Sequence, residues 1–155
     1  MKVKAALALT LSLSAINAQA LEIDHCPLPE NIKNTRGVFT ANTVSRQGQW
    51  VGTVSAVRVK GGDSFSAESV ASFNGAIFYS TKPGGVSRGI LSRCLYSTRD
   101  GEKLDMYYRP EVRPELAVRL LDLKSWKLQP ESKSGLQTYI CKNKQQGGCV
   151  FALID

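Results

Sequence analysis

Four cysteines, Cys26, Cys94, Cys141 and Cys149, are spread along a chain of 155 residues, and no other feature limits its fold so strongly. What they do depends on compartment, because thiols stay reduced in a cytosol and pair in an oxidising space. The N-terminus speaks to that choice. Lys2 and Lys4 give a positive start, an uncharged and mostly apolar run from Ala5 to Ile16 follows, and Ala18-Gln19-Ala20 closes it just before Leu21. This is the order an export signal requires. Only small side chains are accepted at the two alanine positions, so Ala18, Ala20 and Leu21 mark the expected cut. The apolar run is shorter than the roughly 20 residues of a permanent membrane helix. Residues 1–20 are thus expected to be a cleaved signal peptide and 21–155 a single exported domain, periplasmic or secreted. Lipid attachment at Cys26 is not expected, since Leu21-Glu22-Ile23-Asp24-His25 separates it from the cut and carries charge. No later stretch is long and apolar enough to be a transmembrane segment.

In an oxidising space four cysteines imply two disulfides, with three possible connectivities. Cys141 and Cys149 flank a polar stretch ending in Gly147-Gly148. If the flanking segments pair as an antiparallel hairpin, a bridge near its open end is geometrically available. Cys26 and Cys94 would then form the second bridge. A zinc site is poorly supplied, because the only histidine, His25, has no second histidine to complete a ligand set, and Cys141 and Cys149 are too widely spaced for a zinc knuckle. The closely spaced pair of a redox centre is also missing. Neither a metal nor a cofactor is expected.

Between the cysteines, glycine, proline or Asp-Gly interrupts the chain every eight to twelve residues or so, the rhythm of an all-β domain. Strand candidates are 37–41, 49–59, 90–97, 103–108, 136–141 and 149–154, with Trp126 and Leu128 marking another. Residues 71–73 and 76–79 flank Asn74-Gly75, which suits either a two-residue turn or a bulge. In 103–108, Leu104, Met106 and Tyr108 alternate with Lys103, Asp105 and Tyr107, as in a half-buried strand. The Asp100-Gly101 turn joins it to 90–97, whose weaker alternation suggests cover on both faces. Residues 116–123 are expected as a strand, although Pro114-Glu115 would also open a helix. The expected fold is all-β: a small antiparallel β-sandwich or barrel-like sheet, disulfide-bonded.

Cys26-Pro27, Gly48-Gln49-Trp50, Cys94-Leu95-Tyr96 with Leu104-Asp105-Met106-Tyr107, Ser125-Trp126-Lys127 and Tyr139-Ile140-Cys141 with Cys149-Val150-Phe151 form a set of short motifs. In these the chain resembles an uncharacterised domain-of-unknown-function family of short exported bacterial proteins, over nearly the whole mature length. The resemblance implies a signal peptide and a β-rich disulfide domain, and supplies no activity or site residues.

The residues themselves offer little catalysis. A nucleophile needs a base beside it, and His25, next to a bridge cysteine, reads as a solvated tail residue. Gly61-Gly62 and Gly84-Gly85 lack the spacing of a phosphate-binding loop. Paired carboxylates remain, Asp63 with Glu68 or Glu102 with Asp105, for a hydrolase of glycosidase type. The most distinctive exposed segment is Arg109-Pro110-Glu111-Val112-Arg113-Pro114-Glu115. Its prolines favour an extended run outside any central ladder; it reads first as a rigid connection between strands whose Glu and Arg neutralise one another, with Arg109 and Arg113 as candidate binding residues for carboxylates or phosphates in the other reading. Without Lys2 and Lys4 the chain keeps 18 basic against 13 acidic residues, a net charge of +5. This charge favours an anionic surface as partner, another protein being the alternative, and it is equally compatible with no partner at all, because solubility alone favours a net charge away from zero. An apolar-aromatic surface could instead include Trp50 or Trp126. The expected function is a non-enzymatic binding or interaction module; the alternatives are a secreted carboxylate hydrolase and an inhibitor or immunity-type protein.

Overall fold

The computed structural model describes residues 22–44, 48–54, 69–110 and 117–154. The expected signal segment with Ala18, Ala20 and Leu21 lies outside them, as do residues 55–59 of the expected strand 49–59, Gly61-Gly62, Asp63, Glu68 and residues 111–115 with Arg113. Within the described residues the strands are β1 (Glu22–Asp24), β2 (Lys33–Thr35), β3 (Val38–Asn42), β4 (Gly48–Val54), β5 (Val70–Ser80) and β6 (Ile90–Thr98). They continue with β7 (Lys103–Pro110), β8 (Ala117–Leu120), β9 (Trp126–Leu128), β10 (Gln137–Cys141) and β11 (Phe151–Ile154). The only helical turns among these residues are three short 3₁₀ segments. Of the ambiguous residues 116–123, Ala117–Leu120 form strand β8 and Leu123 begins a 3₁₀ segment, while residue 116 lies outside the described residues.

Eight strands form one antiparallel sheet in the order β2-β3-β4-β7-β6-β5-β10-β9, and three form a second, β1-β11-β8. The core lies between the two layers. Trp50, Phe78, Tyr96, Leu104 and Met106 contribute from the large sheet, and Val118, Leu120 and Phe151 from the small one. Each such side chain, once fully buried, stabilises by about 1.5–3 kcal/mol. The rings of Phe78 and Trp126 meet edge-on at 6.4 Å, and those of Phe78 and Tyr139 at 5.9 Å.

The Asp100-Gly101 hairpin forms as expected. The Gly101 N–H donates to the Thr98 carbonyl at 3.0 Å, and the Thr98 N–H to the Glu102 carbonyl at 2.9 Å. The weak alternation of β6 has another cause than double cover. Register slips once between Ile77 and Phe78, leaving Ser92 extra, so Leu91 and Cys94 face the core although three residues apart. Asn74-Gly75 is a bulge and not a turn: β5 runs straight through it, with Asn74 extra between the Phe73–Tyr96 and Gly75–Leu95 pairs. Gly75 has φ +152°, and a Cβ there would sit 2.7 Å from the Cys141 carbonyl oxygen. Glycine is required at that site. The Arg109-Pro110 pair also joins a ladder, against the expectation of a segment outside the sheet. β7 pairs with β4 as far as Pro110, opposite Gly48, while its pairing with β6 stops at Met106. A residue that cannot donate is tolerated where a strand has lost one neighbour.

Both disulfides have the expected pairing, Cys26–Cys94 and Cys141–Cys149. Their setting differs from a hairpin, because β10 belongs to the large sheet and β11 to the small one. The loop between them carries the chain across the layers, with Gly147 at φ +71° and Cys149 at φ +56°. Cys94 and Cys141 lie on either side of Ala76 in one row across β6, β5 and β10, and all three are fully buried. Their partners Cys26 and Cys149 each lie two residues beyond the Asp24–Phe151 pair of the small sheet. Two crosslinks therefore clamp one end of the small sheet onto a single row of the large one. On the side of β8, Gly89 and Val118 exchange backbone hydrogen bonds of 3.0 and 2.8 Å, tying β8 to the segment before β6.

Candidate functional site

The clamp defines a cleft of about 260 Å³. One wall is Cys26-Pro27-Leu28-Pro29, pinned through Cys26 to Cys94. The facing wall is Lys144, Gln145, Gly147 and Gly148, from the loop closed by Cys141–Cys149. Between them lie Ala71, Ser72 and Phe73 of β5. This stretch sits between two bulges, since register also slips at Ala71. Bulges bend a strand and re-aim its side chains, and they recur beside binding sites. The Phe73 ring is backed by the ring of Tyr96, centroids 5.4 Å apart. The Tyr96 hydroxyl donates to the carbonyl of Pro27, fixing the first wall a second time. Burial pushes the Tyr96 phenol well above its usual range.

The cleft is apolar along Pro27, Leu28, Pro29, Ala71 and Phe73, and its polar side chains are Ser72, Lys144 and Gln145. Lys144 is the one charged residue of the lining. Among the described residues the ion pairs join Lys82 to Glu131, Arg93 to Asp105 and Lys124 to Asp122, so Lys144 has no acidic partner there.

The remaining expected site residues are dispersed. Arg109 stands opposite Gln49 near the end of β7, and Arg113 is outside the described residues. Asp105 projects on the outer face of the large sheet, 3.3 Å from the Arg93 guanidinium. Glu102 lies in the preceding turn, where its N–H donates to Thr98 Oγ1. Neither tryptophan supplies a surface: Trp50 is fully buried and Trp126 is 4 % exposed. His25 is not a solvated tail residue. It is half-buried, because β1 is paired into the small sheet, and its Nδ1 donates to the Cys26 carbonyl at 2.8 Å. Beside it Asp24 is fully buried and accepts the N–H groups of His25 at 2.9 Å and Val44 at 3.2 Å. Sequence reasoning missed Asp24, Phe73 and Lys144. A buried carboxylate has no local pattern, and the two cleft residues meet only through the fold.

Fold and crosslinks define a two-layer antiparallel β domain with both disulfides gathered at one end of the smaller sheet. The chain belongs to the family described as protein of unknown function (DUF3757), matched over residues 18–152. Comparison with curated proteins and with solved structures gave no match.

Proposed function

We propose that this is an exported, non-enzymatic binding module, with the disulfide-walled cleft as its binding site. The observation that carries the reading is that each wall is anchored by its own crosslink. A cleft whose walls cannot relax loses little conformational freedom on binding, and preorganisation of this kind converts contact into affinity. The bulged floor at Ala71–Phe73 and the aromatic backing from Tyr96 act in the same direction. Export is supported by the Ala18-Gln19-Ala20 exit and by the two disulfides, which persist in oxidising compartments. The exported form begins at Leu21, which N-terminal sequencing checks directly.

The binding reading is tested by protein-observed NMR of the oxidised mature chain against a mixed fragment set. Shifts concentrated on Pro27–Pro29, Ala71–Phe73 and Lys144–Gly148 support it. Shifts confined to the outer face of the large sheet, around Leu95, Tyr107 and Ile140, would move the site there and refute the cleft.

A further inference from the structure

Resting on that reading, we infer that the cleft takes an apolar or aromatic group that carries a carboxylate. Size limits the ligand first. A cavity of about 150 Å³ accommodates a benzene ring, so about 260 Å³ has room for such a ring with a short polar extension. Surface chemistry limits it next. Pro27, Leu28, Pro29, Ala71 and Phe73 offer nothing to a hydrogen-bonding ligand through their side chains, and favour one that brings apolar area out of water. At one edge stands the ammonium-bearing Lys144, without an acidic partner among the described residues and without a carboxylate among the lining residues. Lys144 is therefore the one formal charge that the lining itself supplies. A single lysine is a compact point charge, suited to a monovalent carboxylate. A phosphate dianion is better matched by arginine forks or several donors. The ligand therefore has a carboxylate at one end and an apolar body at the other. Both a free aromatic acid and the C-terminal residue of a peptide have this form.

The mature oxidised protein is titrated by NMR with four probes: 3-phenylpropionate and its amide, and acetyl-Gly-Gly-Phe as the free acid and as the amide. Each acid is expected to bind about tenfold more tightly than its amide, the lower range for a hydrogen bond to a charged group. Lys144→Gln should bring each acid down to the level of its amide, and added salt should narrow the gap by screening. Phe73→Leu should weaken all four. A tripeptide acid that binds more tightly than phenylpropionate assigns the site to peptide C-termini; equal binding assigns it to small acids. Acid and amide binding equally, both weakened by Phe73→Leu, would overturn the carboxylate inference and leave the cleft reading standing. No binding by any probe overturns the inference as well, and the fragment map then decides separately whether the cleft itself falls. Lys144→Gln changes an exposed side chain, so loss of folding does not confuse its result.

Discussion

Cutting the two bridges separately should cost unequal amounts, and the inequality follows from where they lie in the chain. Cys26 and Cys94 are 68 residues apart, Cys141 and Cys149 only 8. In the chain-entropy account a bridge restricts the unfolded chain by an amount that grows with the logarithm of the loop. At 25 °C this gives about 4.4 kcal/mol for the long loop and about 2.5 kcal/mol for the short one. The loops do not overlap, so each bridge acts independently on the unfolded chain. All four cysteines are buried, so the packing lost on replacement by alanine is similar for the two pairs and largely cancels in the difference. Urea unfolding of Cys26→Ala/Cys94→Ala and of Cys141→Ala/Cys149→Ala, each against the oxidised parent, should differ by about 2 kcal/mol, the long loop costing more. Equal losses, or a larger loss from the short loop, would refute the reasoning. They would mean that the bridges act by holding the layers together in the folded state and not by restricting the unfolded one.

Three further outcomes follow from the same geometry. Ala76→Leu forces a larger side chain between the two bridges and should destabilise by about 1–3 kcal/mol in urea; a neutral result would show that the row has slack. Gly75→Ala combines φ +152° with the 2.7 Å approach to the Cys141 carbonyl and should lower the thermal midpoint, whereas alanine at exposed Ser132 should not. Tyr96 titrates above its unfolded value of about 10, so its contribution is complete below that pH and fades as the pH rises further. Absorbance titration should show a tyrosine component that ionises only with alkaline unfolding, and Tyr96→Phe should remove that component and cost about 1–2 kcal/mol by orphaning the Pro27 carbonyl.

What was legible in the sequence was local. The alternation of Leu104, Met106 and Tyr108 fixed a strand because half-burial acts residue by residue. The Cys141–Cys149 pairing follows from a short glycine-ended spacer, although the flanking strands β10 and β11 belong to different sheets and form no hairpin. Asn74-Gly75 fits a turn or a bulge equally well in isolation. The choice is made by β6 and β10, which flank it on both sides and leave no space for a reversal. His25 reads as solvated because no local signal marks the pairing of β1 with the distant β11. The cleft was hidden for the same reason: Phe73 and Lys144 acquire a shared environment only when both crosslinks close.

The pairing of β1 with β11, Glu22 opposite Leu153 and Asp24 opposite Phe151, also sets an order of events. On the proposed export route, a chain delivered N-terminus first cannot complete its small sheet until β11 has emerged, which makes this the highest contact-order step among the described strands and a slow one. Cys94 arrives much sooner. Once it has captured Cys26, β1 is held near its final place, and the segment that must still find it shrinks to the part after β6. Oxidation in that order turns a search over the length of the domain into a shorter one, so an oxidant present during delivery should speed the final closure as well as secure it.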